Sequence, residues 1–168
     1  MAAHFYEYLE FNSEEDRENQ LDVYVGVQLS AETEAAIKAI SSPSHYLVMA
    51  EPFCPDCVEV VAYFQRMAKL NPNIHVSYVS RKEKKERKHY DSEAQQQVVM
   101  AEEKIPSIFR LNGEETTLVL SEFPASIQAK MAKEPEQREA IRANFRMGKL
   151  GHLIEADLRA IFTQNQAA

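Results

Sequence analysis

The sequence contains no tryptophan, only four glycines and only two cysteines in 168 residues. Two cysteines cannot build the multi-bridge framework of a small secreted scaffold, so whatever they do, they do as one pair. Scarce glycine, with no Gly/Ser linker, internal repeat or low-complexity tract, argues for continuous secondary structure. No stretch approaches the ~20 apolar residues that cross a bilayer, and Met1-Ala2-Ala3-His4-Phe5-Tyr6-Glu7 lacks the basic-then-apolar pattern of a secretory signal. A soluble, cytoplasmic protein is expected, although a mature chain cleaved from a longer precursor would read the same. Positive charge is also in deficit: 19 Lys and Arg against 26 Asp and Glu leave a net charge of −7 and a pI near 5.3. Such a chain offers no general attraction to phosphate backbones or anionic lipid, so neither nucleic acid nor membrane is an expected partner. What is present, 45% hydrophobic and 27% charged residues, suits one compact domain over residues 1–168.

Along the chain, Phe5, Tyr6, Tyr8, Leu9 and Phe11 form an aromatic cluster expected to pack on the domain, because burying such rings is worth ~1.5–3 kcal/mol each. The acidic stretch 13–20 reads as a loop or frayed segment. Residues 21–29 alternate apolar and polar side chains, the period of a half-buried strand. Ser30 reads as the N-cap of a short helix that ends before Pro43. His45 to Ala50 is a nearly continuous apolar run, as in a central strand buried on both faces. After Cys54-Pro55-Asp56-Cys57, the residues Val58, Val61, Phe64 and Ala68 recur at helical spacing, and Asn71-Pro72-Asn73 stops that helix before a strand over 74–79. Most of 83–101 reads as an exposed helix. Residues 105–111 and 116–120 read as a hairpin joined through Asn112-Gly113. Two helices are expected to close the chain, with Pro135 in a first turn, Gly148 as a C-terminal cap, and a last apolar stripe of Leu150, Leu153, Ile154, Leu158 and Ile161.

The chemistry concentrates at the strand-to-helix junction. A cysteine at the mouth of a helix faces unsatisfied backbone N–H groups and the positive end of the helix dipole, both of which favour thiolate. Cys54 has that place. Pro55 suits the first turn, where its missing N–H costs nothing, and a three-residue offset puts Cys57 one turn on, near enough to close a disulfide. Such a dithiol can attack a substrate disulfide with Cys54 and resolve the mixed disulfide with Cys57. The competing uses of a cysteine pair fare worse. A structural zinc wants four ligands, yet there is no second pair, and His45, His75, His89 and His152 show no paired ligand spacing. An iron–sulfur cluster would need cysteines from another subunit or from glutathione.

Taken together, the apolar strand ending in Glu51-Pro52-Phe53, the Cys54-Pro55-Asp56-Cys57 motif opening a helix, and Ile105-Pro106-Ser107 heading a later hairpin with Gly113 resemble the thioredoxin superfamily over about half of the chain. The resemblance implies an α/β, thioredoxin-like three-layer fold. Its central mixed sheet is flanked by helices around a core of residues 40–120, with an N-terminal extension (1–40) and C-terminal helices (122–165). It also implies that Pro106 is a cis-proline facing the dithiol and that Ile105 offers its backbone to an extended substrate, with Phe53 and Pro55 completing the substrate-binding face. Where thioredoxins proper carry a Trp, a Gly-Pro pair and a buried acid, this chain has Phe53, Pro55-Asp56 and Val48. Cys-Pro-x-Cys is nearer the glutaredoxin pattern, and an aromatic before Cys-Pro-Asp-Cys resembles a cytosolic thioredoxin-related group with restricted substrates.

The expected activity is thiol–disulfide exchange by Cys54 as nucleophile and Cys57 as resolving thiol, without metal or organic cofactor. The substrates would be protein or low-molecular-weight disulfides, and the electrons would come from a reductase or glutathione. With Val48 at the buried-acid position, Asp56, or else Glu51, becomes the candidate proton acceptor for Cys57; the alternative is that Asp56 only caps or solvates the turn. Asp56 is stabilised by the dipole yet opposes thiolate formation by like-charge repulsion. The run 81–88 carries six cations and two anions, either a solvated helix face or a docking patch for an acidic protein. A different class of function also fits: a binding or adaptor protein whose dithiol is a redox sensor.

Overall fold

The computed structural model describes residues 3–82 and 93–164. Its centre is a four-stranded mixed sheet of order β2-β1-β3-β4, built from β1 (Ser44–Met49), β2 (Ile74–Val79), β3 (Ser107–Asn112) and β4 (Glu115–Ser121). β1 lies parallel to β2, with Tyr46 opposite Val76, and antiparallel to β3, with Leu47 opposite Phe109. The apolar run in β1 is explained by burial on both faces: Tyr46, Leu47, Val48 and Met49 are all inaccessible to solvent. β3 and β4 form the expected hairpin, in which Gly113 takes the left-handed φ of +62° that the tight connection requires. The register slips between Ile108 and Phe109, whose partners are Leu120 and Leu118.

α4 (Pro55–Ala68) connects β1 to β2 and carries the buried residues Val60, Val61, Phe64 and Met67 on its inner side. α3 (Ala31–Lys38) starts at Ser30 as expected, the Ser30 side chain accepting a hydrogen bond from Thr33 N at 3.2 Å. At the far end Asn71 Nδ2 donates to the Ile37 and Ile40 carbonyls, at 2.7 and 2.8 Å, which ties the end of α3 to the loop before β2.

The reading of residues 13–29 is corrected. They contain no strand and no frayed loop; α2 (Glu14–Gly26) runs through both. Ser13 and Asp16 close a reciprocal capping box, Ser13 Oγ accepting from Asp16 N at 3.2 Å, and three acids in the first turn meet the positive helix end. The alternation of Leu21, Val23 and Val25 is coincidental with respect to the core. Gln20, Leu21 and Tyr24 turn inward at helical spacing, whereas Val25 stands 71% exposed. Arg66 Nη1 of α4 donates to the Tyr24 and Val25 carbonyls at 2.8 and 3.2 Å, satisfying two of the groups that a helix C-terminus leaves open.

Upstream, α1 (Phe5–Tyr8) carries the expected aromatic cluster. Tyr8 stacks on Tyr78 with ring centroids 4.8 Å apart, and Ala3 exchanges backbone hydrogen bonds with Tyr78 at the edge of β2. Phe5, Tyr8 and Leu9 are buried; Tyr6 is exposed.

Three α-helices, not two, close the described chain: α6 (Ala125–Lys133), α7 (Arg138–Arg146, led by a 3-10 turn over Pro135–Gln137) and α8 (Gly151–Thr163). α6 has Pro124 at its start and no side-chain cap, so its beginning carries no capping signature in the sequence. It is held instead by Asp157 of α8, which accepts from Ser126 N and Ser126 Oγ at 2.9 and 2.6 Å. α8 buries Ile154, Leu158 and Phe162, the last stacked 4.4 Å from Phe64. Gly148, with φ +76°, caps α7 as expected. A Cβ on Gly148 would lie 3.1 Å from Glu59 Oε1, and one on Gly151 would collide with the Tyr63 hydroxyl. The two glycines therefore let the α7–α8 connection lie close on α4. Of the expected basic helix, α5 (Glu93–Ala101) is helical, while 83–92 lie outside the described residues.

Candidate functional site

β1 delivers the chain to a turn, 50–53, from which α4 departs. Cys54 is the N-cap residue of α4, with extended φ and ψ of −79° and 115°, and Pro55 occupies the first turn. The local hydrogen bonds follow: Cys54 N donates to the Glu51 carbonyl at 3.0 Å, and Cys57 N to the Cys54 carbonyl at 3.0 Å. Both thiols are free. Cys54 retains 9% exposure and Cys57 none.

This geometry separates the two acidities. The Cys57 thiol donates to the Cys54 sulfur, and that hydrogen bond, opposed by burial and helped by the backbone N–H groups of Asp56 and Cys57, lowers Cys54 from 9.0 to about 7. Cys57 moves the other way. Burial pushes it well above its ordinary value, reinforced by the neighbouring Cys54 sulfur. The pair is thus one sulfur at the helix mouth that ionises near neutral pH and one fully hidden sulfur that keeps its proton.

Asp56 is 5% exposed and pairs with two arginines of α7. Its Oδ1 accepts from Arg146 Nε at 2.7 Å, and its Oδ2 from Arg142 Nη2 at 2.9 Å and Arg146 Nη2 at 3.1 Å. Burial pushes this carboxyl up, but the hydrogen bonds from Arg146 and Arg142 outweigh it and hold the group below the usual carboxylate range. The carboxylate is thus engaged with α7 and not merely solvated in the turn. Glu51 is 1% exposed. It accepts from Asn12 Nδ2 at 3.0 Å and from the Ser80 hydroxyl, while Asn12 Oδ1 accepts from Phe53 N at 3.0 Å. Asn12 and Ser80 thereby brace the turn that presents Cys54. Behind the dithiol, the fully buried Tyr8 donates to Gln20 Oε1 at 3.0 Å, and Gln20 Nε2 to the Val58 carbonyl at 3.1 Å. Burial raises Tyr8 well above its ordinary value, with Cys57 the next cause, so it is a neutral hydroxyl beside the sulfurs.

Cys54 opens on a cavity of about 310 Å³ whose walls include Phe53, Pro55 and Ile105. Phe53 is 43% exposed at its rim, with Lys82 Nζ 5.7 Å from the ring centroid. The Ile105–Pro106 peptide is cis. Ile105 reaches the cavity; Pro106 is buried behind it, its carbonyl accepting from Glu122 N at 2.7 Å. Phe53, Pro55 and Ile105 therefore line one cavity with Cys54.

Four contributors escaped the sequence reading: Asn12, Ser80, Arg142 and Arg146. The first two carry no signal. The arginines carry a weak one, since a spacing of four puts both on one helix face while Ile141 and Phe145 of the same helix are buried. Among the described residues no group of three or more His, Cys, Asp or Glu could hold a metal ion, and no described helix is long and apolar enough to cross a membrane.

Comparison with known proteins supports the same architecture. No curated protein matches the sequence. Among solved structures, a protein of unknown function from Pseudomonas aeruginosa superposes with a TM-score of 0.73 at 17% identity, covering 98% of this chain and 93% of that one. An HIV epitope-scaffold superposes at 0.61 and 16% identity, with 93% and 94% covered. At these identities the likeness is one of fold. The family model described as thioredoxin matches residues 2–140; with the mixed sheet and the Cys54–Cys57 pair at the mouth of α4, this places the chain in the thioredoxin family, where the cysteine pair fits a redox role.

Proposed function

We propose that the protein is a thiol–disulfide oxidoreductase in which Cys54 attacks and Cys57 resolves. The observation that carries this reading is the asymmetry of the pair: the sulfur at the helix mouth faces a cavity and ionises near neutral pH, while its partner is fully buried and protonated. The Cys54 thiolate attacks one sulfur of a disulfide, the S–S bond breaks, and the first product leaves as a thiolate. Cys57 then passes its proton to the departing thiolate and attacks the Cys54 sulfur, forming the Cys54–Cys57 disulfide and releasing the second thiolate. Two electrons pass from the dithiol to the substrate, a protein or low-molecular-weight disulfide, and a reductase or glutathione in a reducing, cytoplasmic setting restores them. The exchange runs between sulfurs alone.

Turnover of a small disulfide with glutathione as donor, compared between the native chain and Cys54→Ser, tests this. Turnover that persists without Cys54 sinks the proposal. One observation favours a second reading, a redox sensor or adaptor: at 9% exposure Cys54 admits substrate only along the cavity. Under that reading the disulfide forms reversibly but no donor sustains turnover.

A further inference from the structure

The charges around the Cys54 cavity are arranged unlike those of the chain as a whole. Against a net charge of −7, the cavity and its rim carry Arg81, Lys82, Lys104, Arg142 and Arg146 with the carboxylates of Asp56, Glu103 and Glu122. Lys104 is paired with Glu122 at 3.5 Å. Two guanidinium groups share the single carboxylate of Asp56, and the layering is asymmetric: the carboxylate is 6% exposed, the arginine side chains 34% and 35%. The anion is inside and the cations are outside, so an entering molecule meets surplus positive charge beside the sulfur. Donor capacity is also left over. Toward Asp56 the hydrogen bonds use Nη2 of Arg142 and Nε and Nη2 of Arg146, while about a third of each arginine side chain stays exposed. On the opposite wall Arg81 donates to the backbone carbonyl of Glu103 at 3.3 Å.

From this arrangement we infer that the cavity selects disulfides bearing a carboxylate near the sulfur, with Arg142 as the residue that reads it. The inference rests on the exchange activity proposed above and names the substrate class of that site. Arg146 holds Asp56 through two hydrogen bonds and Arg142 through one. Arg146 therefore suffices to neutralise Asp56, and Arg142 supplies the excess charge. At physiological ionic strength charges more than ~8 Å apart are largely screened, so this local surplus, and not the net charge of the chain, meets the substrate. A small dicarboxylate disulfide and an acidic peptide present the same group.

The test uses the reduced full-length protein and the rate constant for its oxidation by three small disulfides: dithiodipropionate (anionic), bis(2-hydroxyethyl) disulfide (neutral) and cystamine (cationic). Each rate is divided by that of 2-mercaptoethanol with the same disulfide, which cancels leaving-group differences. At low salt the native protein is expected to favour the anion over the cation about tenfold, the scale of a unit charge acting across a partly hydrated contact. The preference shrinks in 0.5 M salt and falls to about twofold in Arg142→Gln, while Arg142→Lys retains most of it. Ratios within one variant are insensitive to any change in Cys54 reactivity. A parallel pair of peptide disulfides, with Asp or Lys flanking the cysteine, separates the sources: preference for Asp extends the class to acidic peptides, and preference only among the small disulfides confines it to them. Equal corrected rates for all charges in both sets, or a preference untouched by Arg142→Gln and by salt, overturn the inference. Failure of the exchange activity itself reads differently, as absence of Cys54-dependent oxidation even by the neutral disulfide.

Discussion

Replacing Cys57 by alanine removes the strongest influence on the attacking sulfur. The hydrogen bond from the Cys57 thiol heads the causes that bring Cys54 down to about 7, ahead of the backbone N–H groups of Asp56 and Cys57. A hydrogen bond to a charged acceptor is worth about 1.5–3 kcal/mol, and one pH unit of titration corresponds to about 1.4 kcal/mol. Part of that bond is replaced by water entering the space left by the sulfur. The Cys54 midpoint in Cys57→Ala is therefore expected about one pH unit higher, near 8, which lowers the thiolate fraction at pH 7 from about one half to about one tenth. Cys57→Ser keeps a donor of similar reach and is expected to lie between the two. Thiolate absorbance at 240 nm followed from pH 4 to 10, with iodoacetamide alkylation rates over the same range, gives the midpoint directly. A midpoint in Cys57→Ala that stays at the native value refutes the reasoning and assigns the raised acidity of Cys54 to the helix terminus alone.

Three other outcomes are expected. Asp56 is held below its ordinary value in the fold, so its stabilising contribution is fully present above that ordinary value, near pH 4, and is lost as pH falls through the lower folded value. Asp56→Asn is thus expected to lose about 1–3 kcal/mol at pH 7, less than a fully buried pair because the arginines are partly exposed; urea unfolding at pH 7 and pH 3 should show the gap from the native chain narrowing at the lower pH. Gly151→Ala forces a Cβ into the Tyr63 hydroxyl and is expected to cost about 1–3 kcal/mol, whereas the double variant with Tyr63→Phe recovers part of it; no recovery would place the strain elsewhere. Ser13→Ala breaks the capping box of α2 and is expected to cost about 1 kcal/mol in thermal unfolding, an effect that a loop at 13–20 would not show.

Much of the sheet and of the dithiol was legible because their determinants are local. Asn71-Pro72-Asn73 ends α4, and Ile74–Val79 is β2 with the bounds that the breaker and the apolar run indicate. Asn112-Gly113 marks the hairpin, and Ser30 marks the start of α3, for the same reason: each signal lies within four residues of what it specifies. Residues 13–29 failed because two local signals conflict. Period-two alternation over 21–29 favours a strand, while the Ser13–Asp16 box favours a helix from 14 onward. The decision comes from α4, onto which Leu21 and Tyr24 pack and whose Arg66 closes the helix end. α6 went unseen because its first turn is secured by Asp157, thirty-one residues later than Ser126.

The same distinction governs the electrostatics of the site. Read alone, Cys54-Pro55-Asp56-Cys57 sets a carboxylate between two thiols, and repulsion from Asp56 does raise Cys54. The fold answers with Arg142 and Arg146, 86 and 90 residues downstream of Asp56. They pair with that buried charge from the outer side, and Gly148 and Gly151 let the α7–α8 connection come close to α4. Arg146 in turn feels the Cys54 sulfur, so charge that α7 brings to Asp56 also acts on the nucleophile. An aspartate that weakens a thiolate in an isolated motif thus becomes, in this chain, the anchor that brings two cations to it. The acidity of Cys54 is therefore a property of the helix mouth and the buried Cys57, with Arg146 of α7 in electrostatic reach of the sulfur, which the spacing of two cysteines does not encode.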